Sequence, residues 1–249
     1  MKITRLSTDR LRVPLGKPSR VSLTDPKPAA PDAVDLVLTH LETDAGVAGL
    51  GFTYLFGAGA GALRALIDTE LSPLVLGEDP RDTDKLFARA EARFRGAGFG
   101  GLAARAYSAI DTALWDAKAK AAGVPLAKVL GNAKPGAAFV VSDAAPLGRD
   151  AADALKAAKP HLKQGAVGVR VEIGGGGDVQ ADAERVREIQ DGLGENGWIA
   201  VTAEGRFDLS TALALTHFFE DVGVDVFEDP IPAADALGYE KLARLAEVP

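Results

Sequence analysis

The chain has 249 residues, enough for one large or two smaller domains, with 47% hydrophobic residues and a formal net charge of −7. The acidic surplus argues against a nucleic-acid or anionic-membrane partner, each of which wants a basic face. With no cysteine, disulfides, thiolate nucleophiles and cysteine-ligated metals are excluded. No apolar run reaches the ~20 residues that cross a bilayer, and Met1-Lys2-Ile3-Thr4-Arg5-Leu6 lacks the apolar stretch of a secretion signal, so a cytoplasmic globular protein is expected.

From Lys2 to about Leu50 apolar and polar residues alternate, as in Asp35-Leu36-Val37-Leu38-Thr39-His40-Leu41, and Asp44-Ala45-Gly46 marks a tight turn. This predicts antiparallel strands joined by hairpins. Five prolines between Pro14 and Pro31 keep that stretch out of a central strand and leave a surface connection or a lid. From Gly61 to Leu130 the apolar positions recur at helical spacing: Leu63, Leu66 and Ile67; Leu86, Phe87, Ala90 and Phe94; then Ala106, Ile110, Ala113, Leu114 and Ala117. Gly123-Val124-Pro125 ends the last helix. Residues 1–133 read as a small α+β domain.

After Lys134-Pro135-Gly136 the pattern changes. Short apolar runs (Phe139–Val141, Val167–Ile173, Trp198–Val201, Val224–Phe227) alternate with amphipathic stretches (Asp150–Leu162, Ala181–Leu193, Leu209–Val222, Leu237–Leu245). Alternation of this kind means a parallel sheet with crossover helices. Residues 134–249 read as a partial (β/α) barrel of about four units, where eight close the ring. Such barrels put their chemistry at the carboxyl ends of the strands, and here those ends carry Arg170, Glu172, Thr202, Glu204 and Glu228. Four strands also leave two open edges, which predicts a homo-oligomer that covers them.

Two segments carry a family resemblance. Ala109-Ile110-Asp111-Thr112-Ala113-Leu114-Trp115-Asp116-Ala117-Lys118, continuing through Gly123-Val124-Pro125-Leu126 to Leu130-Gly131, resembles the end of the capping domain in the mandelate racemase and muconate lactonizing enzyme family of the enolase superfamily. Phe227-Glu228-Asp229-Pro230-Ile231-Pro232 resembles its barrel. The resemblance runs through the whole chain and implies a capping domain followed by the first half of a barrel. It also implies a small carboxylate substrate, whose α-proton is removed while Mg²⁺ stabilises the enediolate.

At the residue level the chain departs from the family. Where the second strand of the family ends in Lys-x-Lys, with the second lysine as base, this chain has Arg170-Val171-Glu172. Arginine keeps the charge but does not give up its proton, and Glu172 reverses the charge at the position of the base. The third strand of the family ends Asp-x-Asn with the aspartate on the metal, where this chain has Thr202-Ala203-Glu204; Glu228 matches a family ligand outright. The resemblance places the third ligand and the opposing acid/base on later strands. Residues two apart on a strand share a face, so Glu172, Glu204 and Glu228 converge if the family register holds. They then either bind a hard cation through oxygen, or Arg170 ion-pairs with one or two of them and fills the metal position.

Other candidates read as structural. Gly174-Gly175-Gly176-Gly177-Asp178 sits between strand and helix, where amides cradle phosphate, but lacks dinucleotide or P-loop spacing and reads as a flexible turn. His40 falls on a strand and His161 and His217 on helices, away from the barrel mouth. Asp143 reads as a turn or capping residue, Trp115 as a core anchor, and Glu184-Arg185 with Arg187-Glu188 as a solvated helix face. Two functional classes follow: a Mg²⁺-dependent racemase, cycloisomerase or dehydratase with Glu172 or Glu204 as base, or a non-catalytic, shortened relative acting as an interaction or vestigial module.

Overall fold

The computed structural model describes residues 1–15, 33–131, 137–175, 177–194 and 197–249. From residue 16 on, the proline-rich stretch read as connection or lid lies outside them, as does the Lys134-Pro135-Gly136 junction. Described residues through 131 form one compact unit and those from 137 another. No described helix is long and apolar enough to cross a membrane.

In the first unit, β1 (Ile3–Pro14), β2 (Ala33–Thr43) and β3 (Ala48–Phe56) form an antiparallel sheet in that order. The hairpin turns through Gly46 at φ 72°, a left-handed conformation that glycine adopts without steric cost. The helical layer comprises α1 (Ala60–Ala65), a π-helical segment (Leu66–Leu71), α2 (Ser72–Val75), α3 (Thr83–Arg93), α4 (Gly101–Ala122) and the short α5 (Leu126–Val129). On α4, Ala106, Ile110, Ala113, Leu114 and Ala117 are fully buried, as their spacing predicted. Gly123 caps it at φ 66°. The helix packs close because β3 offers it glycine: a Cβ on Gly49 would lie 2.1 Å from the Ala113 carbonyl oxygen, and one on Gly51 only 1.9 Å from that of Ala109. Trp115 is a correction. It is half-buried, with the Lys118 ammonium 4.4 Å from its ring centre, while smaller side chains anchor the core.

In the second unit, β4 (Val140–Ala145), β5 (Gly168–Glu172), β6 (Trp198–Thr202) and β7 (Val226–Glu228) form a parallel sheet in sequence order. Between and after them run α6 (Ala151–Leu162), α7 (Val179–Leu193), α8 (Leu209–Val222) and α9 (Ala236–Leu245). One face of the sheet presents Val169, Val171, Ile199, Val201 and Phe227 to a core with Ala158, Val186, Ile189 and Phe219. The Phe219 and Phe227 rings meet edge to face at 5.0 Å. Each helix starts on an aspartate whose carboxylate accepts a backbone N–H: Asp150 from Asp153, Asp178 from Gln180, Asp208 from Thr211 and Asp235 from Gly238. These carboxylates satisfy amides that a helix start leaves unpaired. Asp143, read as a turn or cap, instead lies within β4, and Asp150 caps α6.

Candidate functional site at the strand ends

Strand parity fixes which side chains share the face opposite the helices. Arg170 is level with Ala200, and Glu172, Thr202 and Glu228 stand in one row across β5, β6 and β7. The Arg170 Nε donates to Glu228 Oε2 at 2.5 Å, a contact spanning two strand intervals. Strand neighbours lie about 4.8 Å apart, so the arginine must cross β6 to reach β7. Ala200 and Thr202, the residues of β6 level with Arg170 and Glu228, are small and fully buried, which leaves room for the crossing. Thr202 Oγ1 has no hydrogen-bond partner among the described residues.

The sequence reading missed the second cation of the site. Arg206, in the loop after β6, donates from Nη2 to Glu172 Oε1 at 2.9 Å and to Glu204 Oε2 at 2.6 Å. Its Nη1 donates to the carbonyl of Ile173 at 3.0 Å, and its side chain is only 9% exposed. Arg206 lies two residues beyond Glu204 in the sequence, but a loop position leaves the direction of its side chain open. Arg185 is a further correction. Read as part of a solvated face, it is 12% exposed and bonds the carbonyls of Glu172 and Arg149. Burial lowers its pKa, opposed by the charges of Asp182 and Glu172.

Among described non-glycine residues, only Glu204 (φ 48°) and Asp229 (φ 46°) have positive φ, and both lie just past strand ends of this site. The Gly205 N–H donates to the Asp229 carbonyl at 2.6 Å, joining the two strained loops. Strain of this sort persists only where surrounding bonds over-determine it. After β5, Gly174 sits at φ 85° and its N–H donates to Asp182 Oδ2 at 2.8 Å. That amide therefore already has a carboxylate partner. The histidines lie where expected, His40 on β2, His161 on α6 and His217 on α8.

The donor set does not fit a hard cation as arranged. Such an ion wants several oxygens free to converge, but Glu228 is tied to Arg170, and Glu172 and Glu204 to Arg206. Among the described residues no group of three or more carboxylate or histidine side chains is placed to hold a metal. Of the two arrangements the sequence allows, the geometry draws the carboxylates to guanidinium, with two arginines rather than one sharing them.

An antiparallel sheet under helices, followed by β/α units with charged residues gathered at the strand ends, defines a two-unit protein of the β/α-barrel class. Residues 14–131 match the mandelate racemase / muconate lactonizing enzyme N-terminal domain, and residues 152–249 match the enolase C-terminal domain-like family. The chain belongs to the mandelate racemase / muconate lactonizing enzyme family of the enolase superfamily. It is 30% identical over 216 residues to the L-talarate/galactarate dehydratase of Salmonella typhimurium, covering 87% of this chain and 54% of the relative. It is likewise 30% identical over 242 residues to the 3,6-anhydro-alpha-L-galactonate cycloisomerase of Streptomyces coelicolor, covering 97% and 65%. The chain thus spans little more than half to about two thirds of these relatives. The crystal structure of the Salmonella dehydratase with Mg and L-lyxarohydroxamate superposes with a TM-score of 0.87 at 28% identity, covering 100% of this chain and 63% of that one. A racemase from Streptomyces coelicolor with bound magnesium gives 0.84 at 28%, covering 99% and 67%.

Proposed function

We propose that this chain is a mandelate racemase/muconate lactonizing enzyme-like protein in which the family chemistry is impaired at the residues it contains. That chemistry is Mg²⁺-assisted abstraction of the proton α to a carboxylate, giving racemisation, cycloisomerisation or dehydration. The carrying observation is the 2.5 Å contact of Arg170 Nε with Glu228 Oε2, which sets a guanidinium on the residue that matches a family metal ligand. Two further features support the reading. Glu172, at the position of the family base, shares Arg206 with Glu204, and Thr202 is a weaker metal donor than the aspartate expected there. Electrostatic stabilisation of the developing charge is usually the largest catalytic term, and losing one such contact costs ~10²-fold or more. The small-carboxylate ligand class comes from the relatives, two of whose structures hold L-glucarate.

The test is α-proton exchange. The chain is incubated with L-glucarate and millimolar Mg²⁺ in deuterated buffer and followed by NMR. No deuterium incorporation is expected. Exchange that disappears in Glu172→Gln would assign Glu172 as a working base and remove the proposal. Thermal denaturation gives an independent reading, since a ligand stabilises only in proportion to its binding. Millimolar Mg²⁺ should not move the midpoint, whereas a clear rise lost in Glu228→Gln would contradict the proposal.

A further inference from the structure

The short connection 94–100 turns α3 back along α4, so these two helices of the first unit run antiparallel. Aromatic rings line their seam from the turn outward: Phe94 and Phe99 meet at 6.3 Å, Phe99 and Tyr107 at 6.1 Å, and Phe87 and Tyr107 at 5.7 Å. One turn farther out, each helix presents an acid. Asp84 precedes Phe87 on α3 and Asp111 follows Tyr107 on α4, at spacings that share a helix face. Because the helices are antiparallel, both carboxylates come to the same end of the seam. Neither has an ion pair or hydrogen bond among the described residues, and the hydroxyl of Tyr107, a residue only 3% exposed, has no partner either. The cations of α3 and α4 are engaged elsewhere: Lys85 and Arg89 with Glu78, Arg93 with Glu70, Arg105 with the Tyr54 carbonyl, Lys118 with the Trp115 ring and Lys120 with Asp116.

We propose that this end of the seam binds a primary alkylammonium ion, held by Asp84, Asp111 and the Tyr107 hydroxyl. The charges ask for a cation. Asp84 lies in the first turn of α3, where the helix dipole favours a carboxylate, but the half-buried Asp111 stands in the middle of α4 without that support. Burial and then Asp84 raise its pKa, and burial together with both carboxylates raises that of Tyr107. A cation seated between the acids relieves their repulsion. The donor count selects its kind. An ammonium brings three N–H groups to three acceptors, whereas a hard divalent ion seeks six or more oxygens, and the rings here supply none. Phe87, 45% exposed, and the half-buried Phe99 offer aromatic faces to the charge and apolar surface to the alkyl stem. Access to the hydroxyl runs past Phe99, which rides between Gly98 at φ 89° and Gly100, where even a Cβ would meet nothing within 4 Å. The site lies within the first unit and does not depend on whether the strand ends of the second are catalytic.

Titration of the full chain with n-butylammonium chloride at constant ionic strength, followed by amide NMR, tests it. Saturable shifts confined to α3, α4 and the turn between them are expected, with a Kd on the order of 1 mM for so small a ligand. Asp111→Asn should weaken binding about tenfold, and Tyr107→Phe about fivefold. Both variants keep the packing, one by an isosteric exchange and the other by removing only a hydroxyl that has no partner. Tetramethylammonium, which carries the charge without an N–H, should bind at least about tenfold more weakly. No saturable shift in the wild type overturns the proposal, and so does binding that Asp84→Asn and Asp111→Asn leave unchanged, because the site then lies elsewhere. Equal binding of tetramethylammonium, or an unchanged Kd in Tyr107→Phe, overturns the assignment of three hydrogen-bonded donors. Saturable shifts of the same amides with Mg²⁺ would make the seam a metal site instead.

Discussion

The two units hold their helices by different means. In the second, α6 to α9 each begin on an aspartate that accepts a backbone N–H. In the first, α1 to α5 have no side-chain cap, and the long α4 is seated by the absence of side chains at Gly49 and Gly51. One unit is specified by local signals repeated once per strand–helix step. The other is specified by a close fit between elements some sixty residues apart in sequence. The difference predicts that single substitutions will be graded and local in the second unit but abrupt in the first.

The largest effect is expected at the glycine contact. Gly51→Val sets a side chain against the backbone of α4, 1.9 Å from the Ala109 carbonyl at its Cβ, and should cost about 3 kcal/mol or more. Chemical denaturation measures it, and a loss below 1 kcal/mol would mean that α4 can retreat from the sheet at little cost. Next is the second unit's charge cluster. Arg206→Met leaves Glu172 and Glu204 facing each other without their guanidinium and should cost about 2 kcal/mol. Arg206→Lys, which keeps the charge but loses the fork, should recover only part of that.

How far each contact was legible follows the same division. The strands and helices of the second unit were readable from their alternating runs, because each βα step is decided within about thirty residues. Glu172, Glu204 and Glu228 were readable as strand-end carboxylates for the same reason. Their partners were not. Arg206 sits in a loop and Arg185 on a helix, and neither position announces that its side chain turns toward β5. Nor does the sequence show that Arg170 bonds Glu228, two strands away, rather than Glu172 on its own strand. In the first unit the alternation of β2 was visible. That the even-numbered positions of β2 and β3 make a second apolar face needed the pairing of Leu38 with Phe52 and Leu36 with Tyr54.

Two smaller effects sharpen the contrast. Asp150→Ala removes one helix cap and should cost about 1 kcal/mol, with amide exchange accelerated in the first turn of α6 and little changed in β5. Spread across the unit, the acceleration would show that caps there act globally. The smallest effect is a gain. The carboxyl pKa of Asp111 on α4 is raised, chiefly by burial and then by Asp84. A group whose folded pKa lies above its unfolded value contributes stability below the unfolded value and loses it as pH rises through the folded one. Asp111→Asn should therefore raise the melting midpoint at pH 7 by ~1–2 °C, and the gain should vanish where aspartate is protonated in both states. An equal gain at acid pH would mean that packing, not charge, is responsible.

The bridge from Arg170 to Glu228 also has a mechanical side. It fastens the first and third of three adjacent strands together across the middle one, like a brace over a plank. Parallel strands slide past one another most readily along their length, and a diagonal tie resists that sliding. Under a shearing load, the tie should resist displacement of β5 relative to β7, the two strands it joins. Replacing Arg170 with methionine would then lower the force needed to shear β5 from β6, even though no hydrogen bond between those two strands is touched.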